Sequence, residues 1–373
     1  VKFTSSTTIG NSCTCQKANG DLCVNLAGGV GVDVGKGGGS IATNTAVGQS
    51  ALCNNTTGAC NTATGINTLR SNTTGARNSA FGYNALCANT TGANNTGVGS
   101  KALYYNTSGL NNTAIGVNSM YKNTTGGCNT SLGVSSLFAN TTGTRNVAIG
   151  GSSMQCNTTG RQNTAVGYYS MFNNTTAGYN TALGSFSLCL NSTGNNNTAV
   201  GHRALGSNIQ GSNNTAVGFC SLRYSTASNN TAVGFCALRS NTTAIGNTAV
   251  GYLSLRDNTT GINNTALGGC VLLNNTTGIN NVGVGRRSLF SNTFGNRNVG
   301  VGNGALEGNS TGSDNVAVGH YALNVNVVGT NNVAVGRNAL YANTASNNTA
   351  VGFLALRCNT TGIKNVAVGV NAL

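Results

Sequence analysis

Small apolar residues and polar residues alternate along this chain in a pattern that repeats at a nearly constant period. The pentapeptide at residues 44–48, NTAVG, recurs along almost the whole chain, and its last Gly falls at twenty positions, as at Gly48, Gly65 and Gly82. All but two of the steps between these glycines have the same length, and the other two are one residue shorter. The consensus is N-[TV]-A-[VIL]-G-x-x-[AS]-L-x-x-N-T-T-G-x-N. In NTAVG, β-branched residues flank a small one, which is typical of a short β-strand.

The second half of the repeat carries one large apolar residue and a turn. Leu or Met stands four positions after the Gly in every copy, and N-T-T-G-x-N then supplies the Asn and Gly that tolerate left-handed turns. A unit with so few apolar side chains cannot bury a core alone, so neighbouring units must stack. The pattern predicts an all-β protein, a parallel β-solenoid or β-roll of about twenty coils, each with two short strands and two turns. At about 4.8 Å per coil, the stack would be roughly 90 Å long.

The two shortened steps locate one of the turns. The shortened copies carry STASNN at residues 225–230 and NTASNN at residues 343–348, in place of NTTGxNN. A deletion within a strand would turn its core side chains outward. We therefore expect this segment to be a turn.

The small residue between the two β-branched ones is Ala, Gly or Ser in every copy, as at Ala46, Gly97 and Ser131. A row of small residues allows a close approach, either between the two sides of one coil or between neighbouring subunits. We favour subunit packing.

Composition agrees with a stacked ladder. The 373 residues include no Pro and 55 Gly, so nearly every backbone N–H can donate a hydrogen bond. Only 19 Lys and Arg and 5 Asp and Glu are present. Like charges stacked about 4.8 Å apart would repel by about 1 kcal/mol even in water, whereas Asn side chains can hydrogen-bond along a ladder.

The net charge of +14 is spread thinly. Nucleic-acid-binding domains concentrate Lys and Arg in patches, so the scatter argues against a nucleic-acid partner. No apolar run approaches the length of about 20 residues that a membrane-spanning helix needs, so no membrane insertion is expected.

Residues 1–43 differ from the repeat region, residues 44–373. They contain Cys13, Cys15 and Cys23 and a Gly-rich stretch at 28–39. Gly31 falls one period before Gly48, but its copy lacks the Leu, so we interpret this segment as a degenerate cap or a flexible joint. The sequence ends in mid-coil, and an uncapped coil exposes strand edges, so we expect more chain or a docked subunit there, as in an end-to-end filament.

The N-[TV]-A-[VI]-G motif resembles the NSVAIG-type repeat in the heads of trimeric autotransporter adhesins. The longer form, NTAVGxxALxxNTTGxNNTAVG, resembles repeats in tail-fibre and surface-fibre proteins of bacteriophages and giant viruses. The resemblance covers residues 44–373 and implies left-handed parallel β-rolls that assemble as homotrimers. The adhesin coil is shorter than the repeat of this chain, and the sequence shows no adhesin stalk or membrane anchor.

Catalysis is not expected. Carbohydrate-cleaving β-helices need paired carboxylates, and no two of the acids fall close together in the coil register. The two histidines lie seven coils apart, too far for a metal site or a catalytic triad. We therefore predict a protein that is not an enzyme and has no catalytic, metal or cofactor residues. The residues considered are Asp21, Asp33, Asp257, Glu307, Asp314, His202 and His320.

Two columns of side chains are candidate sites. Cys220 and Cys236 occupy the same position in consecutive coils, which would permit a disulfide, although most of the 13 Cys are better interpreted as small, half-buried thiols. Arg223, Arg239 and Arg256 also share one position in consecutive coils. This column would form either a groove for an anionic glycan or lipopolysaccharide, or a solvated edge that keeps the protein soluble.

Sequons are frequent, and Asn55, Asn123 and Asn275 are candidate glycosylation sites if the protein is secreted. The repeat generates such triplets automatically, because turns favour Asn and strands favour Thr.

Together these observations predict a structural fibre protein of a viral or phage appendage or of an extracellular filament. It would lie outside the cell or on a virion surface, associate with itself as a homotrimer, and have a glycan or a cell-surface receptor as a further partner. A bacterial surface adhesin head and an ice-binding β-solenoid are the alternatives. The Thr pair of NTTG lies in an expected turn, which argues against the flat Thr face that ice binding requires.

Overall fold

The computed structural model describes residues 7–9, 12–16, 22–26 and 31–373. The chain divides into two compact units, Val1–Asn180 and Thr181–Leu373. Both units are built from the same repeated coil, and their strands pair in parallel, so the predicted all-β parallel β-solenoid is confirmed. The side chains of Cys13, Cys15 and Cys23, and the whole of Asp21, lie outside the described residues.

The first unit begins with antiparallel strands β1 (Thr7–Ile9), β2 (Ser12–Gln16), β3 (Leu22–Leu26) and β4 (Gly31–Gly35). A 3-10 turn at Gly38–Ser40 follows β4 and crosses the first coil. The next strand, β5 (Thr45–Val47), pairs antiparallel with β4. Coils of the solenoid pair in parallel, so β4, which pairs antiparallel with β5, does not belong to a coil. Residues 31–40 instead cover the open side of the first coil.

Each coil contributes one short strand to a parallel sheet. In the first unit these are β5 and then β6 (Thr62–Thr64), β7 (Ser79–Phe81), β8 (Thr96–Val98), β9 (Thr113–Ile115), β10 (Thr130–Leu132), β11 (Val147–Ile149) and β12 (Thr164–Val166). In the second unit they are β13 (Thr181–Leu183), β14 (Thr198–Val200), β15 (Thr215–Val217), β16 (Thr231–Val233), β17 (Thr248–Val250), β18 (Thr265–Leu267), β19 (Val282–Val284), β20 (Val299–Val301), β21 (Val316–Val318), β22 (Val333–Val335), β23 (Thr349–Val351) and β24 (Val366–Val368).

The small residue of each strand points into the core. We number the positions of a full-length coil from position 1, the Asn of NTAVG, to position 17. Ala114, at position 3, is fully buried, whereas Ile115, at position 4, is 40% exposed. A side chain added at Gly97 would meet Leu86 of the preceding coil at 3.4 Å. The small residues therefore let the two sides of one chain approach each other, and they do not support the favoured interpretation as a subunit contact.

The large residue at position 9 is the core residue, as predicted, but it does not lie in a second strand. Met120 is fully buried and has a φ of 49°, and Asn118, at position 7, has a φ of 56°. Their N–H groups still bond to neighbouring coils, that of Asn118 to Ser100 O at 3.0 Å and that of Met120 to Ser136 O at 2.9 Å. A left-handed conformation costs a bulky residue about 1–2 kcal/mol, which burial of its side chain, about 1.5–3 kcal/mol, offsets.

Two columns of buried Asn run beside this apolar core, at positions 1 and 12. At position 12, Nδ2 of Asn106 donates to Oδ1 of Asn89 at 2.8 Å and to Gly109 O at 3.2 Å. At position 1, Oδ1 of Asn95 accepts the backbone N–H of Asn112 at 3.0 Å. The expected Asn ladders are thus present, and they replace much of the apolar core that a unit this small lacks.

The two shortened coils keep the strand register. Thr215 lies opposite Thr231, and Val333 lies opposite Thr349, although each of these coils is one residue shorter than the others. Leu222 N still bonds to Ala237 O at 3.0 Å. The missing residue therefore falls in the turn, as predicted.

Candidate functional site: a groove of arginines and stacked rings

A groove of about 350 Å³ opens on the second unit, across four consecutive coils. One wall is a ladder of rings at position 6, directly after the coil Gly. Ring centroids lie 5.6 Å apart for His202 and Phe219, 5.3 Å for Phe219 and Phe235, and 5.6 Å for Phe235 and Tyr252. The planes of neighbouring rings differ by 19°, 8° and 17°. We call these four residues the ring ladder. His202, Phe219 and Phe235 line the groove, and Tyr252 continues the ladder beside it.

Stacking determines which part of each ring faces the groove. Phe219 and Phe235 have a ring on both sides, so their faces are covered, yet they remain 48% and 46% exposed. The exposed part is therefore the ring edge, which carries the positive end of the quadrupole. A contiguous row of exposed rings is unusual on a soluble surface and marks an interaction site.

The opposite wall is the predicted arginine column, Arg223, Arg239 and Arg256 at position 10, and the structure brings all three into the groove. The guanidinium carbons of Arg223 and Arg239 lie 4.8 and 5.8 Å from the centre of the Tyr224 ring. These cation–π contacts hold both side chains against the surface. Two of the three column arginines thus pack against an aromatic ring.

The arginines differ in how well their donors are satisfied. Arg256 forms a bidentate pair with Asp257, with Nε–Oδ1 at 2.8 Å and Nη2–Oδ2 at 2.6 Å. These hydrogen bonds raise the pKa of Arg256 above its usual value. In contrast, Nε of Arg239 is buried and has no hydrogen-bond partner. The middle of the column thus holds an unused donor beside the groove.

The floor between the walls is formed by position 7, where Cys220 and Cys236 are buried and both thiols are free. Burial raises the pKa of the Cys236 thiol, and the neighbouring Cys220 raises it further, against the opposite effect of the three arginines. The raised pKa favours the neutral, protonated form of the Cys236 thiol. A disulfide between them stays a prediction.

The charge around the groove is strongly positive. Arg203 joins the three column arginines among the lining residues, and Asp257 pairs with one of these arginines, Arg256. Four positive groups against one carboxylate, close together on low-dielectric walls, attract anions from solution.

Sequence reasoning found one wall and missed the other. The arginine column was visible as Arg five positions after Gly in three consecutive coils. The ring ladder carried an equally simple signal, an aromatic ring directly after the Gly in four consecutive coils, at His202, Phe219, Phe235 and Tyr252. The sequence did not show that the two columns face each other, because the repeat does not define the backbone path of positions 6–10.

The structure argues against the three candidate glycosylation sites once the coil has folded. Asn55, Asn123 and Asn275 are all at position 12, where 3% or less of each residue is exposed. Nδ2 of Asn123 donates to Asn106 Oδ1 at 2.8 Å and to Gly126 O at 3.0 Å. The atom that would carry the glycan is thus buried and fully bonded.

The acids of the second unit serve as ion-pair partners. Asp257, Glu307 and Asp314 each contact an arginine at 2.6 Å, in the pairs Arg256–Asp257, Arg287–Glu307 and Arg297–Asp314. The two histidines contact different rings, His202 with Phe219 and His320 with Tyr321. Over residues 31–373 and the described strands before them, no group of three His, Cys, Asp or Glu residues could hold a metal ion.

A second groove, of about 330 Å³, lies in the first unit and is lined by residues that include Leu110, Gly127 and Arg145. It has one cationic residue and no ring among its lining residues, so it offers less to a ligand than the groove in the second unit.

Comparisons with protein-family models, curated proteins and solved structures gave no match. No helix in the described part of the chain is long and apolar enough to cross a membrane. The repeated coil and the groove are the features from which a function can be inferred.

Proposed function

We propose that this protein is a non-enzymatic structural fibre protein, a rigid spacer of a viral or phage appendage or of an extracellular filament. The observation that carries the proposal is the regularity of each unit. One coil is repeated with a backbone ladder and two buried Asn columns, while most of the variation between coils lies on the surface. Such a structure resists bending because each coil is bonded to its neighbours at many points.

Self-association as a homotrimer is part of this proposal. Position 4 forms an outward apolar column on the sheet, and in the first unit Ile115, Leu132 and Ile149 are 40%, 37% and 37% exposed. A regular apolar column of this kind is suited to another copy of the same face. The resemblance to the repeats of trimeric adhesin heads supports the number three.

Light scattering and electron microscopy test the proposal. We expect a particle of three times the 37.3 kDa chain mass, seen as straight rods. Leu132→Glu, which places a charge on the apolar column, should lower the mass to that of one chain. Thr142→Glu is the matched control, because Thr142 is exposed in the same coil but lies at position 14, on a turn. A compact monomer for the unaltered protein would refute the homotrimer.

Ice binding is the second candidate, because of one observation that sequence analysis did not anticipate. Position 2 of the sheet points outward, and in the first unit it carries a column of Thr, among them Thr62, Thr96 and Thr113. The sheet therefore has a Thr column outside the NTTG turn. Inhibition of ice recrystallisation at micromolar protein would favour this function over the fibre, and its absence would leave the fibre as the proposal.

An adhesin-like attachment role, at a cell surface or on a virion, is compatible with the proposed fibre. It would require a ligand site on the coil surface.

A further inference from the structure

We propose that the groove between the ring ladder and the arginine column binds an acidic polysaccharide. The site needs only the four coils from His202 to Arg256, so it is independent of whether the chain forms a trimer.

Charge is the first reason. Three arginines succeed one another along the groove at the spacing of the coils, about 4.8 Å. A row of cations at short, regular intervals is best neutralised by a ligand with repeated negative charges. Arg256 is already paired with Asp257, so Arg223 and Arg239 are the column arginines most available to a ligand.

The ring ladder decides between kinds of polyanion. Nucleic-acid bases and neutral sugars bind aromatic side chains through the flat face of the ring, but the faces of Phe219 and Phe235 are covered by their neighbours. Their exposed edges are electropositive and suit carboxylate or sulfate oxygens. The ladder thus disfavours stacking ligands and favours a chain that presents anionic oxygens to both walls.

The ladder ends on one side at Tyr252. The next coil has Gly269 at position 6, and a side chain added there would contact nothing within 4 Å. The outer face of Tyr252, which is 57% exposed, is therefore the part of the ladder where a sugar ring or a base could stack. This gives a residue whose substitution separates stacking from ionic binding.

The unpaired donor of Arg239 supports a bound anion independently. Its buried Nε lacks a hydrogen-bond partner, and an unpaired buried donor is costly unless it gains one. This Nε is shielded from solvent, so a carboxylate or sulfate oxygen would satisfy it once the guanidinium of Arg239 turned toward the groove. Charged hydrogen bonds of this kind are stronger than neutral ones.

Binding can be measured on the full-length protein with polygalacturonate and dextran sulfate as probes, and with neutral dextran and a single-stranded oligonucleotide for comparison. We expect both acidic polysaccharides to bind and to weaken as salt is added. Arg239→Gln should weaken binding about tenfold or more, as expected for loss of a charged hydrogen bond. Arg337→Gln, an exposed position-6 arginine outside the groove, removes the same charge and should have less than a twofold effect.

The outcomes separate the alternatives. Equal losses in Arg239→Gln and Arg337→Gln would mean that binding reports only the net charge, and would overturn the site. If the oligonucleotide or neutral dextran binds more tightly than the acidic polysaccharides, and Tyr252→Leu abolishes that binding, the groove is assigned to a stacking ligand instead. Retention of acidic polysaccharide binding by Tyr252→Leu would support the proposal. A thermal melt of each variant checks that the solenoid is intact.

Discussion

Asn208 and Ser225 occupy equivalent positions in consecutive coils, and the buried Oδ1 of Asn208 has no hydrogen-bond partner. In regular coils the next residue at position 12 is an Asn whose amide donates to this oxygen. Ser225 has no amide, and its hydroxyl instead accepts hydrogen bonds from Ala227 N and Asn241 Nδ2. The Asn ladder is therefore broken where the coil loses a residue.

The second shortened coil shows that the turn, rather than the side chain, causes the break. Asn343 has an amide, but it donates to Ala345 O at 2.7 Å within its own turn, and Oδ1 of Asn326 is again unpaired. We therefore predict that Ser225→Asn alone changes stability little. Replacing STASNN at residues 225–230 with NTTGINN, which restores the full-length coil, should stabilise the protein by about 1–3 kcal/mol, the cost of a buried unsatisfied group.

Urea denaturation of the two variants checks this prediction. If Ser225→Asn stabilises the protein as much as the lengthened turn does, the side chain and not the turn is responsible for the break.

The repeat made the coil, its core residue and its turn predictable, because stacked coils have nearly the same length and carry the same kind of residue at equivalent positions. Ala114 and Met120 show where the sequence misled. A small residue between β-branched ones indicates a close contact but not whether it is made within the chain or between chains. The left-handed conformation of Met120 could not be foreseen, since bulky residues rarely adopt it, and it removes the expected second strand. The groove depends on this path and so escaped prediction.

The two glycines of the coil should differ in their tolerance of a side chain. Gly116, at position 5, has a φ of 135°, and a Cβ there would lie 2.5 Å from Gly133 O. Gly is found at this position in all twenty copies. Position 15 is also crowded, but Ala177 and Ala244 occupy it in two coils. We expect Gly116→Ala to destabilise the first unit by about 3 kcal/mol or more.

The matched control is Gly109→Ala at position 15 of the preceding coil, which should cost about 1 kcal/mol. Thermal melts of both variants measure the difference. Similar losses at the two positions would show that crowding, which they share, outweighs the backbone conformation, which only Gly116 requires.

Exposed and buried sequons should differ in glycosylation when the protein is secreted from a eukaryotic cell. Asn111 is exposed in the triplet Asn-Asn-Thr, whereas Asn123, in Asn-Thr-Thr, is buried in the position-12 ladder. Folded, secreted protein should carry glycans at Asn111 and none at Asn123, because a glycan on Asn123 would prevent its coil from closing. Mass spectrometry of glycopeptides provides the measurement, and an occupied Asn123 in folded material would contradict the buried ladder.

The reactivity of the thiols should follow their burial. For Cys236, burial also predicts a pH dependence of the protein's stability. Burial raises the pKa of Cys236, so the folded state holds the proton more tightly than the unfolded chain, where a thiol has a pKa of about 8.5. The resulting stability is fully present below that value and is lost as the pH rises through the folded pKa. At pH 8, iodoacetamide should label the exposed Cys358 well before Cys236. In urea denaturation, the midpoint should fall more between pH 8 and pH 10 in the unaltered protein than in Cys236→Ala. Labelling of Cys236 at the rate of Cys358 would contradict the buried floor of the groove, and an equal fall in both proteins would assign the pH effect to other groups.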